Sequence, residues 1–250
     1  MIDVAINDGI AVVTMRHGKA NALDIELCDA LAARFHSLRN GASKAVVLTG
    51  QGKIFSAGVD LIRVGRGGAP YIRDFLPALH KLYEAVFFHP KPVVAAINGH
   101  AIAGGCVLAL CADRRVMVKE GGTIGVTELL VGVPFPVLAF EIMRHATPPA
   151  FFNETILSGA TFPPEVALHR QWVNDLAEPG DIMERAVALA QELASLSPLA
   201  LAQTKAQIRQ PASERIAQSA RLDAEIADIW CAPEALARIR DYVARTLKKR

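Results

Sequence analysis

The chain has 250 residues and a mass of 26.8 kDa, more than the usual single domain of about 100–200 residues, so one large domain or one domain with a small appendage is expected. Its apolar fraction of 52%, charged fraction of 21% and mean hydropathy of +0.26 exclude a disordered chain and imply apolar surface buried between subunits. Lysine and arginine number 27 against 25 aspartates and glutamates, and the one dense basic cluster is Lys248-Lys249-Arg250, so charge makes no case for a nucleic-acid partner.

The N-terminus opens Met1-Ile2-Asp3-Val4, with no basic segment ahead of a long apolar one, so no signal peptide is expected and the chain should stay in the cytoplasm. Residues 3–15 read as a β-hairpin in which apolar runs flank the turn sequence Asn7-Asp8-Gly9. Asp24 is placed to cap a helix to about Arg39, where Ile25, Cys28, Leu31, Ala32, Phe35 and Leu38 recur at helical spacing. Residues 44–49 form a short β-branched strand that leads into a loop over 50–61. Residues 65–70, Gly65-Arg66-Gly67-Gly68-Ala69-Pro70, read as a flexible stretch and a mobile pocket wall before a helix to about Phe88. A second strand over 92–97 is followed by the small-residue turn Asn98-Gly99-His100-Ala101-Ile102-Ala103-Gly104-Gly105 and an apolar helix. The rest is mostly helical, over 137–145, 148–157, 163–169, 181–196 and 198–209, then a long pair over 212–230 and 233–247. Pro198, Pro211 and Pro233 are expected in first turns, where proline is tolerated. No linker separates independent units, and the natural division is a core over 1–196 and a helical region over 197–250.

Several chemistries are excluded by what is missing. The longest uninterrupted apolar stretch, Ala101 to Ala112, is well short of the roughly 18 residues of a membrane helix. Cys28, Cys106, Cys111 and Cys231 form no CxxC pair, and the seven histidines show no HExxH, so neither disulfides nor a metal is expected. Gly99 and Gly104 have P-loop spacing, yet Gly105 and Cys106 stand where lysine and serine or threonine should follow. Gly50-Gln51-Gly52 lacks the third glycine of a dinucleotide fingerprint, and no GxSxG elbow occurs.

What remains is chemistry by backbone donors. A helix N-terminus presents unpaired N–H groups with partial positive charge, and Gly104-Gly105 and Ala57-Gly58 allow a ligand oxygen to come close. If the two turns face one another, two N–H groups can grip a carbonyl oxygen as it becomes an enolate.

Phe55-Ser56-Ala57-Gly58-Val59-Asp60-Leu61, Asn98 to Cys106 and Cys111-Ala112-Asp113 resemble the two signature segments of the enoyl-CoA hydratase/isomerase (crotonase) superfamily. The resemblance covers nearly the whole chain, including Arg16 to Leu23, Ile124-Gly125-Val126-Thr127-Glu128, Ser197-Pro198 and Thr204-Lys205. It implies an α/β fold: a crotonase-like ββα spiral core with a C-terminal helical trimerisation region, assembled as a homotrimer or as a hexamer of two trimers. It implies that the N–H groups of Ala57 and Gly104 form an oxyanion hole for the thioester carbonyl of an acyl-CoA substrate, with no separate cofactor. Lys19, Ala20 and Ala22 would lie along the CoA, with the Ala57 to Asp60 turn, including Gly58 and Val59, beside its pantetheine, and Ser56, Leu61, Gly105 and Val107 would complete the substrate-binding set.

Hydratases of this family place two glutamates about the substrate, one at the position of Glu128 and one three residues beyond the oxyanion glycine, which here is Val107. Valine can neither activate water nor carry a proton. A single carboxylate suffices to move a proton from C2 to C4 of a 3-enoyl-CoA, and Gly132-Val133-Pro134-Phe135 resembles the isomerase branch. Three readings follow: a Δ3,Δ2-enoyl-CoA isomerase acting through Glu128; a hydratase, dehydratase or acyl-CoA hydrolase with an unassigned second group; and an acyl-CoA-binding protein of weak activity.

Overall fold

The computed structural model describes residues 1–246 and all their side chains except that of Ala220; the expected helix end at Leu247 and the basic Lys248-Lys249-Arg250 lie outside the described residues. Strands β1 (Ile2–Asn7) and β2 (Ile10–Met15) form the antiparallel hairpin expected over 3–15. Asp8 (φ 49°) and Gly9 (φ 79°) supply the positive φ that its two-residue turn demands. Helix α1 (Ile25–Asn40) starts where Asp24 accepts a hydrogen bond from the Leu27 N–H at 2.8 Å, and it buries Leu27, Cys28, Leu31, Ala32, Phe35 and Leu38.

Three strand–strand–helix units follow. They are β3 (Ala45–Gly50), β4 (Ile54–Ser56) and α2 (Leu61–Phe87); β5 (Val93–Ile97), β6 (His100–Ile102) and α3 (Gly104–Leu110); and β7 (Arg114–Val118), β8 (Ile124–Gly125) and α4 (Glu128–Val131). The first strand of each unit enters a six-stranded sheet of order β1-β2-β3-β5-β7-β10, parallel from β2 onward, whose last strand is β10 (Asp175–Ala177). The second strand of each unit enters a smaller sheet, β4-β6-β8-β9, in which β4, β6 and β8 run parallel and β9 (Thr161–Phe162) closes the edge antiparallel.

The larger sheet is covered on both faces, as parallel sheets are. Val46, Leu48, Val93, Ala95 and Ile97 point into the main core with α1, α2 and α3, whereas Ala45, Val47, Val94 and Ala96 pack on Ala186, Leu189 and Ala190 of α8 (Ile182–Ala194). Between β8 and α8 lie α5 (Val137–Ala146), α6 (Pro149–Ser158) and α7 (Pro164–His169); after it come α9 (Pro198–Gln218), α10 (Ala220–Cys231) and α11 (Pro233–Thr246). A third apolar cluster, including Val64, Ile72, Val131, Trp230 and Ile239, seals α10 and α11 against α2 and α4, and the Trp230 indole N–H donates to the Pro134 carbonyl at 2.9 Å. No described helix is long and apolar enough to cross a membrane.

Three expectations are corrected. The glycine-rich stretch 65–70 is helical and belongs to α2, which kinks at Gly68 (φ 60°, ψ −152°) and restarts with Pro70 in the first turn. Gly65 is held against α11, since a Cβ there would lie 3.3 Å from Cγ of Arg240. Pro211 lies inside α9, which runs through the predicted break because Lys205, Arg209 and Ala212 are all buried by packing. Finally, both supposed loops hide a three-residue strand, β4 and β6.

Candidate active site

Parallel strands β4, β6 and β8 lie side by side and end at one edge of the smaller sheet. Each delivers a short segment there: Ala57, Gly58 and Val59 after β4; Ala103 and Gly104 after β6; Val126, Thr127 and Glu128 after β8. Ligands of parallel α/β sheets bind outside such carboxyl ends.

The first turn corrects the expected donor. The Ala57 N–H donates to the Ala20 carbonyl at 2.9 Å, so it is spent inside the protein. The Gly58 N–H donates to the Ser56 hydroxyl at 3.2 Å. The Val59 N–H has no acceptor among the described residues. Gly58 has φ +81°, and a Cβ on it would lie 2.5 Å from the Ile102 carbonyl oxygen and 3.0 Å from the Gly104 nitrogen, so the backbones touch here. Gly104 opens α3, where an N–H has no partner within the helix. Where these two turns touch, the N–H groups of Val59 and Gly104 are both without an acceptor among the described residues.

Residues 17–24 hold this turn from behind. The Asn21 side chain donates to the carbonyls of Ile54 and Phe55 at 3.3 and 3.1 Å, the Leu23 N–H to Gly58 O at 2.8 Å, and the Asp60 N–H to Leu23 O at 3.0 Å. Ala20 and Ala22 thereby sit beside the Ala57–Gly58 turn, and Lys19 is exposed next to them. Asp24, buried, holds the segment to α2 by accepting from His17 at 2.6 Å and Arg63 at 2.9 Å. Burial pushes its carboxyl up, but the Leu27 N–H, His17 and Arg63 outweigh this and hold it below the ordinary range.

Two further expectations change. The fully buried Ser56 hydroxyl donates to Asn21 O at 2.7 Å, so it fastens the turn and does not face a ligand. Gly105 leaves no open approach either: a Cβ there would lie 2.4 Å from the Ser56 carbonyl oxygen, so its lack of a side chain lets α3 reach β4. Asp60 accepts from the Arg63 N–H at 3.0 Å as the cap of α2, and Leu61 begins that helix and packs in the third apolar cluster.

The second turn is strained. Ala103 sits at φ 50°, ψ −124°, a conformation that side chains rarely adopt. The fully buried Tyr83 hydroxyl donates to the Gly104 carbonyl at 2.9 Å and fixes the first peptide of α3. Burial first, then neighbouring thiols and Glu128, push the phenol well above its ordinary range, so it remains a donor. Sequence reasoning passed over Tyr83 because its helical spacing is that of an ordinary core residue.

Glu128 is the first residue of α4, a single turn closed by Gly132 at φ 93°, whose N–H returns to the Glu128 carbonyl at 2.9 Å. Its side chain is buried and its Oε2 has no hydrogen-bond partner among the described residues. Burial pushes the carboxyl up to about 7, against the opposing pull of the Glu128 and Thr127 N–H groups. The carboxylate is near enough to Tyr83 and Cys106 for its charge to act on both. Val107 stands on α3 with 1% of its surface exposed, and it offers no proton. Among other acidic residues, Asp74 and Glu120 are exposed. The arrangement can bind an oxygen that gains negative charge and move one proton beside it.

Comparison with known proteins gives the same family along most of the chain. The family model described as enoyl-CoA hydratase/isomerase matches residues 5–232. The chain is 34% identical over 201 residues to a carnitinyl-CoA dehydratase of Salmonella heidelberg, covering 80% of this chain and 76% of the relative. It is 30% identical to a probable enoyl-CoA hydratase of Mycobacterium tuberculosis, whose crystal structure superposes with a TM-score of 0.81 over 100% of this chain and 99% of that one. Human mitochondrial Δ3,Δ2-enoyl-CoA isomerase, at 23% identity, shares the fold with a TM-score of 0.93 over 100% and 99% of the two chains. The paired strands of each unit are thus the turns of a crotonase-type ββα spiral, and the chain belongs to the enoyl-CoA hydratase/isomerase family of acyl-CoA enzymes.

Proposed function

We propose that the protein converts a 3-enoyl-CoA to the 2-enoyl-CoA, with Glu128 as its single acid–base group. The observation that carries this reading is the buried Glu128 carboxyl, raised to about 7, whose Oε2 has no hydrogen-bond partner among the described residues, with apolar Val107 where a second carboxylate would stand. A group near neutral pH can both take and return a proton.

In this reading the thioester oxygen accepts hydrogen bonds from the N–H groups of Val59 and Gly104, and the acyl chain runs past Val107. Lys19, Ala20 and Ala22 lie along the CoA, and Gly58, Asp60 and Leu61 flank its pantetheine through the backbone turn. The Glu128 carboxylate removes a proton from C2, the electron pair delocalises over C2–C4 and the carbonyl oxygen, and the same carboxyl returns the proton to C4. Mass is unchanged. Each backbone donor to the developing oxyanion is worth about 10²–10³ in rate, more than it gives the neutral carbonyl.

Incubation with 3-hexenoyl-CoA, followed by retention time and mass, tests the reading. Expected is 2-hexenoyl-CoA of equal mass, formed about 10³-fold more slowly with Glu128→Gln. Uptake of one water by 2-hexenoyl-CoA as the main reaction, or release of free CoA, would overturn it in favour of a hydratase or hydrolase.

A further inference from the structure

At the far end of α3 from Gly104, a cavity of about 710 Å³ opens between the segment 112–115, the end of α5 and α9. Five cationic side chains line it, those of Arg114, Arg115, Arg144, Lys205 and Arg209, against the single carboxylate of Asp113. Asp113 is already divided between two of them: Lys205 Nζ donates to its Oδ2 at 2.6 Å and Arg209 Nη2 to its Oδ1 at 2.7 Å. Arg115 has no carboxylate partner among the described residues. Its guanidinium, in a residue 8% exposed, donates only to neutral carbonyls, those of Trp172 at 2.5 Å and Ala112 at 2.7 Å. Arg144 meets Glu141 at 3.2 Å, but Glu141 also accepts from Arg215 at 2.5 Å, and exposed Arg114 has no ion pair among the described residues.

An interior charge without a counter-charge is costly, and a protein that keeps three together against one carboxylate retains an unmet demand for negative charge. Burial and mutual repulsion act on the same groups. Burial foremost, aided by Arg209, takes Lys205 down to about 8 despite Asp113, and burial foremost, aided by Arg114 and Arg209, takes Arg115 down to about 10. His145, also on the lining, lies below its ordinary value through burial and the nearby Arg209 and Arg115. Planar guanidinium forks suit the oxygens of a tetrahedral oxyanion.

We propose that this cavity is an anion site that takes a phosphate group, as inorganic phosphate or on a small phosphate monoester, distinct from the turn at Val59 and Gly104. Arg114 and Arg144 at the rim and Arg115 and Arg209 within would hold its oxygens. The inference does not rest on the proposed reaction.

The test is thermal unfolding of the purified protein in inorganic phosphate against sodium chloride of equal ionic strength. With 10 mM phosphate the midpoint should rise by about 3 °C, and the rise should persist with saturating CoA present. The double variant Arg114→Gln/Arg144→Gln changes only rim residues and should lose the rise, read against its own midpoint in chloride. Glucose 6-phosphate in place of phosphate separates the two sources: an equal or larger rise indicates a monoester, a smaller one the free ion. No rise, a rise abolished by CoA, or a rise unaltered in the double variant would each overturn the proposal. So would loss of oligomer mass in the double variant by light scattering without a phosphate effect in the wild type, which would make the cavity a contact between copies.

Discussion

Asp113 and Glu128 are both interior carboxylates, one just beyond the carboxyl end of α3 and the other near the site at its amino end, and they are treated in opposite ways. Asp113 is saturated: Lys205, Arg209 and the Val93 N–H at 2.7 Å use both its oxygens. Among the described residues Glu128 meets no cation, and its Oε2 has no hydrogen-bond partner. The first is spent on joining α9 to the end of α3; the second is kept short of partners, which raises its proton affinity. A partly buried acid between two buried cations is architecture, whereas a buried one left unsatisfied is a reagent whose cost the rest of the fold offsets.

The contrast breaks most visibly in rate. Glu128→Gln should lower kcat for 3-hexenoyl-CoA about 10³-fold with little change in KM, in steady-state assays. Asp113→Asn should do the reverse, losing about 3 kcal/mol of stability by leaving Lys205 and Arg209 buried without their counter-charge, read from urea midpoints. Among refolded molecules kcat should fall by less than tenfold.

Stability against pH sharpens the same difference. Because the folded-state value of Glu128 is raised to about 7 from its ordinary 4.5, the native state holds the proton more tightly than the unfolded chain. The stability this gives is full below about 4.5 and is lost as pH rises through 7. Glu128→Gln does not ionise, so it should exceed the wild type by about 3 kcal/mol at pH 8 and match it near pH 4; parallel urea melts at the two values check this. Activity should run the other way, kcat/KM rising with pH through about 7 as the carboxylate form accumulates. The smallest effect expected is at Ala103. Glycine relieves its positive φ, so Ala103→Gly should stabilise by up to about 1 kcal/mol, the opposite of the usual sign for that exchange in ordered structure.

Much of this was legible in the chain. The Asp24 cap, the hairpin turn at Asp8-Gly9 and the helical stripe of α1 are local patterns, and local patterns survive folding. Gly104 and Glu128 stood out through motif resemblance, and the fold brings both to one sheet edge. The choice between the N–H groups of Ala57 and Val59 was not legible, because it depends on a carbonyl at Ala20 brought up by tertiary packing. Strands of two or three residues such as β4, β6 and β8 are too short to show a period, and their pairing exists only in the sheet. Glycines 65, 67 and 68 suggested freedom where the structure uses them for a kink and for contact with α11. Pro211 suggested a break that packing on either side of it overrides.

The common edge of β4, β6 and β8 also works as a ruler. Val59, Gly104 and Glu128 lie three, two and three positions beyond the last residues of their strands, Ser56, Ile102 and Gly125. An insertion or deletion of one residue in any of these links would rotate or withdraw one member while leaving the others in place. Length variation among functional versions of this chain should therefore be absent from these three links and free to accumulate at exposed turns such as Gly52 and Gly121, where a side chain would meet nothing within 4 Å.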